Sequence, residues 1–377
     1  MKNSTAALVK NIDFKNRKFK VWVLAPSIES KDDALDYYYD FSQSIAEYTA
    51  VFKLLNVDWK WQPVNMTNYI EVISIITKEK NKQDEIPIVL NLCDGDEING
   101  TPGVSVIKLL EKENIIYTGA DEFFYTITTS KVPMKTAFDA AGVSNAAWTS
   151  FNDANFSSSQ VFNSIEAPII IKPAVSGGSM GVGVKNVVDN EEDLSALVKE
   201  LLKGYHGWNL SADGFIAEQF ITGPEYTVFI CGSYNRPEDA VIFSPVERVF
   251  HPSLPEKEKF LSFDRLWEIY ETESEMPCQE NFYEYQLPQK ELMDSLKEIS
   301  WDAFVANNGM GYARIDIRMD KKTKKLYILE VNAQCGISED ENFTSIGAIL
   351  KFSGVAFHKL IEAILIDAIK RNQEKNN

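Results

Sequence analysis

The sequence is poor in the residues that make covalent and metal cross-links, with four cysteines and three histidines in 377 residues. Cys93, Cys231, Cys278 and Cys335 are scattered, without C-x-x-C spacing or a histidine cluster. This argues against a disulfide framework and a structural zinc site, and fits a reducing cytosol. No run reaches the roughly 20 apolar residues that cross a bilayer. The start, MKNSTAALVKNIDFKNRKFK, lacks the apolar core of a signal peptide. A soluble, cytoplasmic protein is the expectation. Positive charge is also scarce: 38 Lys and Arg stand against 55 Asp and Glu, a net charge of -17. Such a chain repels phosphate backbones and anionic lipid, so neither nucleic acid nor membrane is an expected partner. Small phosphate ligands stay compatible, because a few local lysines and bridging ions dominate at contact distance. Both the G-K-[ST] end of a Walker A loop and a G-x-G-x-x-G dinucleotide pattern are absent.

What is present divides the chain. One core rarely grows past about 250 to 300 residues, so two or three domains are expected. KVWVLAP (20–26) reads as a strand, 32–55 as a helix, and IPIVLNLCDG (86–95) as a buried parallel-type strand. TPGVSVIKLLEKEN adds a helix with Pro102 near its first turn. A second unit opens with the helix SKVPMKTAFDAAG and continues through the strand APIIIKPAV to a glycine-rich run. Its helix EEDLSALVKELLKG carries one apolar stripe, with Asn190 as N-cap and Gly204 as C-cap. From about residue 213 antiparallel strands dominate, and one long helix, about 345–371, closes the chain.

Alternation places Arg314, Asp316 and Arg318 on one face of YARIDIRM, and Ile328, Glu330 and Asn332 on one face of LYILEVN. If Asp320 pairs with Leu326 across the connection DKKTKK, Asp316 falls opposite Glu330 and Arg314 opposite Asn332. Opposed carboxylates destabilise a sheet unless a cation lies between them, and oxygen ligands of this kind suit Mg²⁺ or Mn²⁺. A solvent-exposed hairpin with its acids paired to Arg314 and Arg318 is the other reading. Upstream, Lys172 ends an apolar strand and is followed by Gly177, Gly178, Ser179, Gly181 and Gly183. That loop can offer successive backbone N–H groups to phosphate oxygens, or can be a flexible turn. Lys131 is a second lysine, and Glu218 and Glu225 flank a Thr222-Gly223 turn.

Taken in order, SKVPMKTAFDAAGVSNAAW, PIIIKPAVSGGSMGVGV, AEQFITGPEYTVFI, and YARIDIR followed by LYILEVNAQCG resemble the ATP-grasp superfamily. The nearest likeness is to its D-alanine:D-alanine ligase-like branch, over roughly residues 85–350, and NLCDG followed by IIYTGAD also resembles that branch. The resemblance implies an α/β and α+β chain of three-domain ATP-grasp architecture. An N-terminal parallel-sheet α/β domain would span 1–125, a central subdomain with the phosphate loop 126–212, and a C-terminal subdomain with the metal site 213–377. It implies ATP phosphates on Lys131 and Lys172 under the loop of Gly177, Gly178, Ser179 and Gly181. Adenine would meet Glu218 and the backbone of Gln219, Phe220 and Ile221, and ribose Glu225. Asp316, Glu330 and Asn332 match metal-ligand positions for two Mg²⁺ (or Mn²⁺) ions. Arg314 and Lys172 are the implied catalytic residues, Arg314 facing an oxyanion. Segments 177–183 and 251–284 are the implied lids, and homodimers are usual in that branch.

The sequence also departs from that pattern. Glu29 in APSIESKDD is the candidate for holding the first substrate's ammonium, and Asp94-Gly95 stands where the branch has His-Gly. Gly178 replaces the first of two loop serines, and Leu266 and Trp267 fall at a Tyr and Lys of the covering loop. After Asn332 the branch continues to Pro-Gly and a Ser-Leu that grips a carboxylate. Here Cys335-Gly336 precedes Glu339, Asp340 and Glu341, with Ser345 beyond. Acids at that place repel a carboxylate. Either Ser345 is carried into the site, or Glu341 and its neighbours meet a cationic amine. The expectation is an ATP-dependent ligase joining a small-molecule carboxylate and an amine through an acyl phosphate, on amino acids or a small amino-acid-containing metabolite. D-alanyl-D-alanine synthesis itself, and a nucleotide-gated protein without ligase activity, are the alternatives.

Overall fold

A computed structural model describes residues 18–28, 40–82, 85–205, 207–266, 276 and 281–376. The first sheet is parallel, in the order β2-β1-β3-β4, from β1 (Phe19–Pro26), β2 (Asp58–Val64), β3 (Ile86–Asn91) and β4 (Ile116–Tyr117). Strands β1 and β3 are almost wholly buried, as near-continuous apolar runs must be when both faces are covered. Strand β2, DWKWQPV, carries no such run and was not foreseen. It lies at the sheet edge, where polar residues and Pro63 are tolerated because no further strand needs their N–H groups. Helices α1 (Ser42–Leu55), α2 (Tyr69–Lys82) and α3 (Val104–Lys112) lie between the strands. The helix expected over 32–55 is described only from Ser42, the stretch 29–39 lying outside the described residues. Pro102 sits next to the first turn of α3, immediately before its N-cap Gly103. The orphan N–H groups there are met by Glu97, whose carboxylate accepts from Gly103 N at 3.1 Å and Ser105 N at 2.6 Å.

Helices α4 (Glu122–Thr129) and α5 (Lys131–Ala141) lead to a small antiparallel sheet ordered β5-β8-β6-β7. Its strands are β5 (Trp148–Phe151), β6 (Ile169–Pro173), β7 (Val187–Val188) and β8 (Phe215–Gln219). Strand β8 therefore belongs with the phosphate-loop unit rather than with the C-terminal unit beginning at 213, because its ladder partners are β5 and β6. Helices α6 (Ser158–Ser164) and α7 (Glu191–Leu201) flank this sheet. Leu194, Leu197, Val198 and Leu201 bury the apolar stripe of α7, each worth about 1.5–3 kcal/mol. Asn190 caps its first turn, but the C-cap is Leu202, and Gly204 follows two residues later at φ 79°.

The larger sheet runs β12-β11-β9-β13-β14, from β9 (Glu225–Ser233), β11 (Val246–Phe250), β12 (Tyr283–Gln286), β13 (Met310–Met319) and β14 (Leu326–Ala333), with β10 (Val241–Ile242) on β9. Tyr226, Val228 and Ile230 point to one face, packing with Phe304 of helix α8 (Met293–Ala306) in a core that reaches Trp22 and Leu24 of β1. Phe229 and Tyr312, on the other face, join Val21 and Val23 of β1. Two helices, α9 (Ser345–Ser353) and α10 (Phe357–Lys375), replace the single long one expected. Gly354 breaks it in the left-handed region at φ 65°, a conformation that ends helices. No helix among the described residues is long and apolar enough to cross a membrane.

Candidate active site

A cleft of about 440 Å³ lies where the two antiparallel sheets face each other. On its upper side α5 brings two lysines one turn apart. Lys131 Nζ reaches Ser176 at the start of the glycine loop, 3.2 Å from Oγ. Lys135, on the same helix face four residues on, gives 2.7 Å to Glu218 Oε1, while Lys172 gives 2.9 Å to Glu218 Oε2. Lys135 was missed; its signal was a charge on the face otherwise formed by Met134 and Phe138, which are buried. Glu218 is thus first the counter-ion of two lysines, and both oxygens expected to face adenine are already engaged. Burial opposes ionisation of Glu218, but the two ammoniums outweigh it and hold its pKa below the ordinary carboxylate value. Burial lowers the pKa of Lys131, opposed by Glu330 and reinforced by Lys172.

In the loop, Gly178 at φ 54° and Ser179 at φ 62° form successive left-handed residues on the cleft wall. Glycine takes this conformation at 178 without the Cβ penalty that Ser179 bears beside it. Gly177 lines the neighbouring chamber. Gly181 does not line the cleft: a Cβ there would meet Leu210 at 2.5 Å. Gln219, Phe220 and Ile221 do line it.

Glu225 also lines the cleft, but its carboxylate is held between Arg248 and Arg318 across the β11-β9-β13 ladder. Arg248 Nη2 lies 3.2 Å from Tyr285 Oη, and its guanidinium sits over the rings of Tyr283 and Tyr285 at 5.3 and 5.4 Å. This Arg-Glu-Arg cluster was not foreseen. Its trace is the strand VERVF, in which Arg248 shares the inward parity of Val246 and Phe250. Part of the implied lid 251–284, residues 267–275 and 277–280, lies outside the described residues.

Across β13 and β14, Asp316 faces Glu330 and Arg314 faces Asn332. The route to that register differs from the one expected. Leu326 pairs with Met319, not Asp320, and a bulge between Asp316 and Ile317 takes up the residue. The same bulge sends Ile328 into the core, away from Glu330. Asp316 accepts from Arg314 Nε and Nη2 (2.9 Å to Oδ2), Thr227 Oγ1 (2.8 Å) and Asn332 Nδ2 (2.9 Å). Burial alone would raise its pKa; Arg314 and these bonds lower it. Among the described residues no three His, Cys, Asp or Glu side chains converge. Two carboxylates and an amide oxygen are hard donors of the kind that would suit Mg²⁺.

A second chamber of about 370 Å³ adjoins the cleft and shares Ser176, Gly178, Arg314 and Asn332 with it. Asp94 lines this chamber. Surrounding protein and the neighbouring Asp96 push its pKa up to about 6 while its carboxylate stays open to the chamber. Ser345, buried in the first turn of α9, lines the cleft. Glu341 does not: it pairs with Lys351 at 2.8 Å on the surface, and Asp340 folds back onto the N–H groups of Asn342 and Phe343. Asp340 and Glu341 therefore shape the turn that leads into α9. Glu29 lies outside the described residues.

Comparison with known proteins agrees with this geometry. Residues 137–366 match the family model described as D-ala D-ala ligase C-terminus. The D-alanine--D-alanine ligase of Geobacillus thermodenitrificans is 26% identical over 302 residues, 78% of this chain and 73% of the relative. That of Caldicellulosiruptor bescii is 24% identical over 86% of this chain and 83% of the relative. The crystal structure of D-alanine--D-alanine ligase from Bacillus anthracis complexed with ATP superimposes with a TM-score of 0.65 at 15% identity, covering 95% of this chain and 99% of that one. The fold is thus the ATP-grasp architecture, mixed α/β with a parallel-sheet N-terminal domain. With more than half of its length matched by the family model, this chain belongs to the D-ala D-ala ligase C-terminus family and is an ATP-dependent ligase that forms C–N bonds.

Proposed function

We propose that the chain joins a carboxylate to an amine through an acyl phosphate, acting on amino acids or small amino-acid-containing metabolites. The observation that carries this reading is the meeting of two chambers at the glycine loop and Arg314. ATP fits the cleft, with its phosphates toward Lys131, Lys172 and the backbone of Gly177, Gly178 and Ser179. A substrate carboxylate oxygen attacks the γ-phosphorus and ADP leaves. The amine nitrogen then attacks the acyl carbon, losing a proton as inorganic phosphate departs. Lysine and guanidinium charge offsets the developing anions, and Arg314 stands at the junction where the oxyanion forms. Asp316, Glu330 and Asn332 would hold Mg²⁺, which supplies Lewis-acid charge to the phosphates. Acyl phosphates hydrolyse, so the walls that close this junction also serve to exclude water.

D-alanyl-D-alanine synthesis itself is the second reading, favoured by the names of the relatives and by Ser345 at the start of α9 on the cleft wall. ADP release with ATP and Mg²⁺ against single and paired amino acids, polyamines and small carboxylates tests both, with Glu330→Gln as the control. Turnover that requires one carboxylate and one amine supports the ligase reading. Turnover with D-alanine alone, and with no other pair, selects the second.

A further inference from the structure

Three acids cluster in the turn after β3, and their fates differ. Asp96 accepts from the backbone N–H and the side-chain amide of Asn99, both at 3.0 Å. Glu97 caps α3 through Gly103 and Ser105. Both therefore hold the loop in shape. Asp94 has no side chain paired with it among the described residues, and it faces the chamber beside the phosphate loop.

That chamber is polarised. Among the described residues its charged lining is Asp94 and Asp96 on one side and Arg314 at the junction with the nucleotide cleft. A ligand that carries both an ammonium and a carboxylate is oriented by this field, with its carboxylate toward Arg314 and the phosphate loop. Apolar and aromatic side chains, Phe41, Leu92, Tyr125, Val175 and Trp208, form much of the remaining wall, with the polar side chains of Thr101, Thr128, Thr129 and Gln334 among them. The Tyr125 hydroxyl is engaged by the carbonyl of Gly95 at 2.7 Å, so the ring is what it offers a ligand. A methyl side chain would leave most of 370 Å³ unfilled and these walls without contacts.

We infer that Asp94 is the ammonium-recognising residue of this ligase, and that the chamber it faces takes an amino acid whose side chain is large and apolar. The inference rests on the ligase reading and adds its substrate class. It predicts that affinity climbs with side-chain size, by about fourfold per methylene buried. It also predicts that removing the ligand's ammonium is costly only while Asp94 is an acid.

The test compares alanine, leucine and phenylalanine, in both hands, with propionate, 4-methylpentanoate and 3-phenylpropionate. Binding is titrated calorimetrically with a non-hydrolysable ATP analogue present, and ADP release is followed in parallel. The wild type should bind phenylalanine or leucine at least tenfold more tightly than alanine, and each preferred amino acid at least tenfold more tightly than its deaminated analogue. Asp94→Asn should erase the ammonium preference and Asp94→Glu retain part of it. An unchanged KM for ATP and a melting temperature no lower than that of the wild type separate loss of recognition from loss of fold. Alanine binding best, or an ammonium preference that survives in Asp94→Asn, overturns the inference, and the ligase reading still stands if ADP is released. The predicted binding pattern without ADP release upholds the chamber's selectivity and removes the ligase reading instead.

Discussion

Glu218 accepts from Lys135 at 2.7 Å and from Lys172 at 2.9 Å, so one buried carboxylate fixes both a hidden lysine and the lysine that ends β6 at the cleft. Glu218→Gln leaves Lys135 buried beside an uncharged amide. Breaking a buried pair from one side costs about 3–5 kcal/mol. Chemical denaturation should show that loss together with a raised KM for ATP. Stability unchanged within about 0.5 kcal/mol would mean that the lysines find another partner.

Glu330 has the opposite character. It faces Asp316 across the ladder and lines the cleft, and it is not fully buried. Glu330→Gln should therefore leave the melting curve nearly unmoved, while ADP release falls by about 10²–10³-fold, the scale of losing one charge-stabilising group. A comparable drop in stability would instead make Glu330 a structural residue.

Arg248 holds the Glu225 carboxylate from the β11 side of the cleft. Arg248→Met leaves that carboxylate on Arg318 alone and removes a guanidinium from the rings of Tyr283 and Tyr285. Hydrogen bonds to charged groups are worth about 1.5–3 kcal/mol, so KM for ATP should rise by roughly tenfold or more, with kcat much less affected. An effect on kcat alone would contradict a nucleotide-side role.

The Asp94 carboxyl has an ordinary value of 3.8 and is pushed up to about 6 in the folded chain, first by desolvation from the protein that surrounds the chamber it lines and then by Asp96. The folded state holds that proton more tightly than the unfolded one, so the stabilising contribution is present below the ordinary value and is lost as pH rises through about 6. Asp94→Asn should thus melt no lower, and above that pH higher, than the wild type. Substrate binding runs the other way: kcat/KM for an ammonium-bearing substrate should fall as pH drops through about 6, and the fall should vanish in the variant.

Glu341 supplies a contrasting case. Its partner Lys351 is as exposed as it is, and exposed pairs contribute about 0–1 kcal/mol. Glu341→Ala should change neither KM for any substrate nor the melting temperature by a measurable amount. A rise in KM for an amine substrate would return residues 339–341 to the binding wall.

Some of the site could be read before the fold was known, for reasons that the residues make plain. Glu330 and Asn332 are two apart on a strand, so they share a face whatever the strand packs against, and Asp316 and Arg314 do the same on β13. Lys172 closes an apolar run and precedes glycines, a local pattern. The expected pairing and the observed one agree although the loop register differs, because the bulge on β14 offsets the residue that the longer connection takes from β13. Nothing local announces that bulge. Edge strand β2 escaped notice because edge positions tolerate polar residues and proline, which blurs the apolar signal.

The sequence by itself determined the succession of parallel and antiparallel units, the glycine loop and the acidic hairpin, since each depends on the periodicity or backbone freedom of neighbouring residues. Tertiary structure alone decided which charges pair. Lys135 with Glu218 spans 83 residues and Arg318 with Glu225 spans 93. It also freed Asp94 to face the chamber while turning Glu341 out to Lys351. A carboxylate's role follows from the low-dielectric surroundings and counter-charges that distant segments bring to it, and those are set only when the sheets pack.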